Sequence, residues 1–236
     1  MRSVGLLLKV LWAPGEAMFL LSKNPRVLVP ILFVALSSLL SGIIVTSKVP
    51  AGELAMRVIE RSPQGANLSD EAKEQIRQRV NSPAARTLTI VSTSLGPVLV
   101  LLIVAGIYFG LFTVVGREGS FKAFFSITAF AFVPTIFRHL TAVLNAFVAP
   151  PSSIMPDELG SLSPAVFLDR DSVSPVVFTG VNMIDVVSIW VLCLLIIGFG
   201  FVTRKSLSKT TRAGAVIGVF LVYTVVRLLL ASARRF

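Results

Sequence analysis

Residues 96–115 read GPVLVLLIVAGIYFGLFTVV and carry no charged side chain. A helix that crosses about 30 Å of hydrocarbon needs roughly 20 predominantly apolar residues, so this stretch is long enough to span a bilayer. Residues 27–45, VLVPILFVALSSLLSGIIV, have the same character and lie between Arg26 and Lys48. Both patterns predict transmembrane helices.

Three further stretches are long and apolar, but each is interrupted by ionisable side chains. None shows the strict alternation of apolar and polar residues that a transmembrane β-barrel requires. We therefore predict an all-α, polytopic membrane protein with five transmembrane helices. The predicted spans are residues 27–46, 88–115, 123–148, 181–203 and 213–232, and the interruptions are Arg138 with His139, Asp185 and Arg227 in the last three.

The composition agrees with this class of protein. Of 236 residues, 54% are hydrophobic and 14% are charged, against about 25% charged in typical soluble chains. The net charge of +10 favours an anionic partner, and the apolar excess favours a lipid surface over nucleic acid. One cysteine, Cys193, and one histidine, His139, rule out an intrachain disulfide and a multi-histidine metal site.

No catalytic motif accompanies these spans. A Gly-rich phosphate loop, an HExxH sequence and a GxSxG sequence are all missing from the chain, and each of these motifs would mark a specific chemistry. We therefore expect no enzyme activity and no cofactor.

The amino-terminal segment, residues 1–25, precedes a single membrane domain at residues 26–236. Its short apolar runs on either side of Pro14 predict interfacial helices with Lys9 and Lys23 at the headgroups. Ordinary helices packed on the bundle are the alternative.

Two longer polar stretches separate the spans. Residues 47–86 predict two amphipathic helices outside the membrane, the second of them capped by Ser69 and followed by Pro83. Residues 150–179 are rich in Pro and Ser and carry several acids, which indicates an acidic connector between the third and fourth spans.

Polar residues inside the predicted spans form a candidate cluster. On a helical projection, Arg138 shares one face of the third span with Thr135, Thr141 and Asn145, whereas Asn182, Asp185 and Ser188 recur every three residues in the fourth. Arg138 and Asp185 differ in predicted depth by roughly 8 Å, which an extended arginine covers, and an unpaired intramembrane charge is costly. We therefore predict an Arg138–Asp185 ion pair. The candidate cluster comprises Arg138, Asp185, Arg227, Asn145 and Asn182.

Two interpretations of this cluster stay open. The favoured one is a structural clasp that fixes neighbouring helices. The other is a polar cavity, open to the outer leaflet, for a lipid headgroup or a solute. Arg227 either joins the cluster or extends towards the interface, and His139 is interpreted as a packed residue.

Small residues and prolines mark further positions within the spans. Glycines four residues apart permit close helix approach, and prolines inside helices kink them or free carbonyl groups. The glycine pairs are Gly106 with Gly110 and Gly214 with Gly218, and the prolines are Pro30, Pro97 and Pro134.

The orientation follows from the short loops, because Lys and Arg are retained on the cytoplasmic side. Residues 203–212 carry four basic residues and no acid, which predicts a cytoplasmic loop. The acidic connector is then outside and the amino terminus inside. The stretch 47–86 and the terminal Arg234 and Arg235 fall outside, against the rule.

Three stretches resemble the Yip family (Ypt-interacting proteins), in particular its bacterial members. They are residues 12–32, WAPGEAMFLLSKNPRVLVPIL; residues 116–140, GREGSFKAFFSITAFAFVPTIFRHL; and residues 183–214, MIDVVSIWVLCLLIIGFGFVTRKSLSKTTRAG.

The resemblance implies five spans and a cytoplasmic amino terminus. Eukaryotic relatives are associated with Rab-type GTPases and vesicle traffic through longer cytosolic amino-terminal regions, and the short segment before the first span here puts GTPase binding in doubt. Two functions remain open: a non-enzymatic membrane-organising or scaffold protein that contacts lipids, itself or other membrane proteins, and a transporter or lipid-handling, scramblase-like protein that uses the polar cluster.

Overall fold

The computed structural model describes residues 3–60, 65–116, 119–150, 155, 158–170, 172–203 and 207–233. These residues are largely α-helical, and no β-strand occurs among them. The helices are α1 (Ser3–Trp12), α2 (Pro14–Lys23), α3 (Leu28–Lys48), α4 (Ala51–Glu60), α5 (Asp70–Asn81), α6 (Pro83–Gly116), α7 (Phe121–Ala131), α8 (Ile136–Val148), α9 (Pro175–Met183), α10 (Val186–Val202) and α11 (Lys209–Ala233).

Some of the charged residues on which the predicted orientation depends lie outside the described residues. They are Arg204 and Lys205 of the basic loop, Asp157 and Asp171 of the acidic connector, and the terminal Arg234 and Arg235.

Four segments are long and apolar enough to cross a membrane. They are Leu28–Lys48, Pro83–Val115, Phe121–Val148 and Lys209–Ser232, and the bent pair α9 and α10 makes a fifth if it counts as one span. The 34 residues of α6 extend about 50 Å, so this helix is longer than the hydrocarbon core. The prediction of a helical, multi-pass membrane protein is confirmed at this level.

The third span is two helices joined by a short turn. Helix α7 ends at Ala131, a 3-10 helix covers Val133–Thr135, and α8 begins at Ile136. Pro134 lies in this turn, where its missing N–H and its ring disfavour a continuous α-helix. Pro97, in contrast, lies inside the uninterrupted helix α6.

The predicted kink at Pro30 has no structural basis. Pro30 is in the first turn of α3, which begins at Leu28. The first N–H groups of a helix lack an intrahelical partner anyway, so a proline is tolerated at this position.

Residues 181–203, predicted as the continuous helix of a fourth span, belong instead to two helices. Helix α9 ends at Met183, α10 begins at Val186, and the two axes differ by 49°. Asp185 lies in the break, and Asp favours the residue before a helix over a helix interior. Asn182, Asp185 and Ser188 therefore do not form a stripe on one helix.

The described helices group into two compact units. Unit 1 comprises residues 1–36, 95–136 and 186–223, and unit 2 comprises residues 37–94, 137–185 and 224–236. Helices α3, α6 and α11 contribute residues to both units.

Unit 1 has an apolar core of stacked and tilted aromatic rings. Phe199 lies with its ring centroid 5.0 Å from those of Tyr108 and Phe124 and 5.5 Å from that of Phe112. These four side chains are almost fully buried. The Tyr108 hydroxyl donates a hydrogen bond of 3.1 Å to the carbonyl of Val216, which attaches α11 to α6.

The amino-terminal helices also belong to unit 1. Helix α2 packs on α7 and α10, and α1 packs on α2. The buried side of the pair consists of Leu6, Leu7, Val10, Ala17, Met18 and Leu21.

The stretch between α3 and α6 forms the two predicted amphipathic helices, α4 and α5, which pack together in unit 2. Ser69 caps α5, since its hydroxyl accepts a hydrogen bond from the N–H of Ala72. The N–H of Gly52 donates to the side-chain oxygen of Asn81 at 3.2 Å, which joins the start of α4 to the end of α5.

Candidate functional site

The candidate site lies in unit 2, where Arg138 meets Asp185. Arg138 is in the first turn of α8, directly after the turn that contains Pro134. Asp185 occupies the break before α10. The Nη2 and Nε atoms of Arg138 donate to Oδ1 of Asp185 at 2.7 Å and 3.2 Å. The predicted ion pair is therefore present, although a helix break rather than helical periodicity positions its acidic member.

The second carboxylate oxygen of Asp185 also has a partner. The backbone N–H of Leu162 donates to Oδ2 at 3.0 Å. Asp185 immediately precedes α10, where the positive end of the helix dipole favours a negative charge. Its side chain is only 4% exposed, against 37% for that of Arg138. The carboxylate is thus buried with hydrogen bonds to both of its oxygens.

Leu162 belongs to the connector, which the sequence interpretation treated only as an acidic link. Asn145 of α8 donates to the carbonyl of Leu159 at 2.8 Å. Asn182 of α9 accepts from the hydroxyls of Ser161 and Ser163 at 2.6 Å and 2.9 Å. The connector therefore lies against both helices, and its backbone completes the ion-pair site.

Close backbone contact holds the connector on α8. A Cβ atom at Gly160 would lie 2.7 Å from the carbonyl oxygen of Arg138, so only glycine fits there without a shift. Arg170 forms an ion pair of 2.7 Å with Glu158, and its guanidinium lies 4.6 Å from the ring centre of Phe178 in α9. Arg170 therefore links Glu158 of the connector to α9.

Sequence reasoning missed this folded connector, although a local signal was available. Ser163–Pro164 and Ser174–Pro175 are both capping pairs in the structure, with serine as the N-cap and proline in the first turn. Such pairs predict helix starts, and two of them within one stretch indicate ordered structure.

Not every polar residue of the predicted spans joins the cluster, and Arg227 is the predicted member that does not. Arg227 is exposed on α11 and has no hydrogen-bond or ion-pair partner within the part of the chain that the structure describes. Thr141 bonds back to the carbonyl of Phe137 in its own helix. His139 lies 3.0 Å through Nδ1 from the hydroxyl of Ser37 on α3, which is the contact of a packed residue.

The four motif glycines mediate no close helix contact within the described residues. A Cβ atom at Gly106, Gly110, Gly214 or Gly218 would meet no atom within 4 Å. Close approach occurs instead at Gly198 of α10, where a Cβ atom would lie 3.1 Å from the sulfur of Met18. A Gly-x-x-x-Gly spacing permits close approach of a second helix, but it does not show that such a helix is present.

Four helices, or five if α9 and α10 form one span, are long and apolar enough to cross a bilayer, which indicates a multi-pass α-helical membrane protein. The family model described as the Yip1 domain matches residues 8–230. The chain therefore belongs to the Yip family. No curated protein and no solved structure matches it.

Proposed function

We propose that this protein is a non-enzymatic, bacterial-type member of the Yip family that organises the membrane as a scaffold. It spans the inner membrane five times, with α9 and α10 together as the fourth span and the amino terminus in the cytoplasm. Residues 1–25 form an interfacial segment, and residues 26–236 form one membrane domain that contacts lipids and other helices.

The observation that carries the scaffold proposal is the hydrogen bonding of Asp185. Its carboxylate accepts two hydrogen bonds from Arg138 and one from the Leu162 backbone, and its side chain is 4% exposed. A solute site needs polar groups that are available to the solute. A buried carboxylate bonded in this way acts instead as a clasp between α8, the connector and the α9–α10 break.

Exposed helix surface supports the same proposal. Only 6% of the apolar segment of α11 is buried. Gly214 and Gly218 lie on this helix with open space beside them. Such a surface is available to lipid tails or to the helices of other membrane proteins.

A second candidate function is transport or lipid handling, and the broken fourth span favours it. Discontinuous helices with polar residues at the break form the binding sites of many transporters. Asp185 lies at such a break, and 37% of the Arg138 side chain is exposed.

Reconstitution into liposomes separates the two functions. The double variant Arg138→Met/Asp185→Leu removes both charges and leaves no unpaired ion. Lipid scrambling and ion flux are measured for this variant and for the wild type, and assembly is measured by chemical crosslinking and light scattering. A scaffold gives no flux above protein-free vesicles with either protein, and the double variant keeps the wild-type assembly state.

A transporter or scramblase gives wild-type flux that the double variant loses. The matched control is Lys73→Met/Asp70→Leu, which removes an ion pair 3.9 Å apart on α5 whose Asp70 is fully exposed. Wild-type flux that the control retains and the Arg138/Asp185 variant loses would refute the scaffold proposal.

A further inference from the structure

Three chain segments of unit 1 meet at the carboxyl end of α10. Phe19 of α2 contacts Phe201 with a ring-centroid distance of 5.6 Å. Gly119, in the turn before α7, has a φ of 93° and lies so close to Val202 that a Cβ atom would be 2.6 Å from Cγ1 of that residue. Arg212 of α11 donates to the carbonyl of Gly200 at 2.7 Å.

Each of these segments carries an exposed lysine. Lys23 lies 5.9 Å from the ring centre of Phe19. Lys122 is three residues after Gly119, and Lys209 is one helical turn before Arg212. The contacts of Phe19, Gly119 and Arg212 therefore place Lys23, Lys122 and Lys209 around one end of α10.

Negative charge is scarce in this unit. Among its described residues, Glu16 is the single acidic side chain, and it forms an ion pair with Lys9. Lys23, Lys122 and Lys209 therefore have no carboxylate of the described unit 1 to neutralise them. We call this group the lysine surface.

Helix α1 adds an apolar stripe to the same unit. Val4, Leu8 and Trp12 are exposed by 62%, 55% and 68%. They are four residues apart and so lie along one side of the helix, whereas Leu6, Leu7 and Val10 are buried. A tryptophan at the end of an exposed apolar stripe is typical of the membrane interface.

We infer that the lysine surface binds anionic phospholipid headgroups of one leaflet, while Val4, Leu8 and Trp12 contact the adjoining acyl chains. The lysine surface supplies three exposed ammonium groups, and the stripe on α1 supplies apolar side chains. One anionic lipid molecule carries a negative headgroup for the former and acyl chains for the latter. Nucleic acid would satisfy the lysines but not the apolar stripe. The inference depends on membrane insertion and not on the scaffold role.

The test measures the selectivity of boundary lipid. Protein reconstituted in phosphatidylcholine is probed by electron paramagnetic resonance with spin-labelled phosphatidylglycerol and spin-labelled phosphatidylcholine. Wild-type protein is expected to prefer the anionic label by at least about fivefold, the factor for one juxtamembrane lysine. Raising the salt to about 1 M shortens the screening length to about 3 Å and lowers this preference.

The decisive variant is Lys23→Gln/Lys122→Gln/Lys209→Gln, which is expected to bring the preference close to 1. The matched control, Lys73→Gln/Arg77→Gln/Arg79→Gln, removes three charges from α5 and should keep the wild-type value. Equal selectivity of the wild type and the lysine variant, or an equal loss in the control, would overturn the inference.

A second measurement examines the apolar stripe. Trp190→Phe leaves Trp12 as the sole tryptophan of the chain. Its fluorescence should be quenched more strongly by brominated phosphatidylglycerol than by brominated phosphatidylcholine, and the lysine variant should abolish this difference. Absence of quenching by either lipid would place Trp12 away from the bilayer and would refute the acyl-chain contact.

Discussion

The two units differ in their charge and in the interactions that hold their helices together. Unit 1 carries ten basic and two acidic residues, a net charge of +8, and its core is made of aromatic rings. Unit 2 carries twelve basic and ten acidic residues, a net charge of +2, and contains the Arg138–Asp185 clasp with its folded connector. Unit 1 thus combines a large positive charge with an aromatic core, and unit 2 combines nearly balanced charge with an ion pair inside its fold.

This difference indicates which interactions stabilise each unit. Lipid tails are as apolar as leucine, so helix association in a bilayer depends on close packing and on hydrogen bonds rather than on removal of apolar surface from water. Close packing of aromatic rings dominates the core of unit 1, where Tyr108 adds one hydrogen bond to Val216, and charged hydrogen bonds dominate the Arg138–Asp185 site of unit 2. Substitutions that remove one kind of interaction should therefore affect the two units unequally.

The largest effect is expected for Arg138→Met. It leaves the buried Asp185 carboxylate without the Arg138 guanidinium, and leaving a buried charge uncompensated costs about 4 kcal/mol. The measurement is the free energy of unfolding in mixed detergent and dodecyl sulfate micelles.

The control for this prediction is the double variant Arg138→Met/Asp185→Leu. It removes both ions, so its stability should recover most of the loss, because a buried pair is often replaceable by apolar residues. Equal stability of Arg138→Met and the wild type would show that the clasp is not a stabilising feature of unit 2.

Phe199→Ala should have the next largest effect, in unit 1. Phe199 is fully buried among Tyr108, Phe112 and Phe124. Removal of the ring leaves a cavity in a packed core, which costs about 3 kcal/mol. Unfolding in the same micelles measures the loss.

The matched control is Phe167→Ala, because Phe167 is 89% exposed. This substitution should change stability by less than about 0.5 kcal/mol. A similar loss in Phe167→Ala and Phe199→Ala would contradict the assignment of the aromatic core as the packed centre of unit 1.

The sequence predicted the apolar helices and the Arg138–Asp185 pair, but not the way in which the pair forms. Length and apolarity suffice to predict a span, because hydrocarbon thickness sets the requirement. The break before α10 depends on Ile184 leaving the helical region, with φ of −81° and ψ of 68°. The apolar run over residues 181–203 does not reveal this change of backbone conformation, so it predicts one continuous helix.

The connector and the glycine motifs show that tertiary contacts, too, are hard to predict from sequence patterns. Ser161, Leu162 and Ser163 contribute to the site through one backbone N–H and two hydroxyls, groups that nearly every loop offers. Gly106-x-x-x-Gly110 gives a clear pattern, yet the structure places no neighbour there among the described residues. Which surfaces meet is decided by tertiary contacts that a single sequence does not encode locally.

A smaller effect of opposite sign is expected for Thr128→Val in unit 1. The Thr128 hydroxyl is buried and has no hydrogen-bond partner among the described residues. Valine has nearly the same shape without this unsatisfied group, so the variant should be more stable than the wild type by about 1 kcal/mol. Asn182→Leu in unit 2 is the contrasting variant, because it removes an acceptor of two hydroxyl hydrogen bonds. Destabilisation by Thr128→Val would show that unit 1 also depends on its buried polar groups.

The smallest effect concerns the capped first turn of α5 and depends on pH. Hydrogen bonds from its own backbone N–H and from the Ser69 hydroxyl lower the pKa of Glu71 below its ordinary value of 4.5. A carboxylate with a lowered pKa in the folded state stabilises the fold above its unfolded pKa, and this contribution is lost as the pH falls through the folded value. Amide protection in the first turn of α5 should therefore weaken as the pH falls below 4.5, as measured by hydrogen exchange.

Glu71→Gln should remove this pH dependence, and Ser69→Ala should reduce it, because one of the two hydrogen bonds is lost. If Glu71→Gln kept the wild-type pH profile, another group would be responsible, and the hydrogen bonds of Glu71 would not explain the pH dependence of α5.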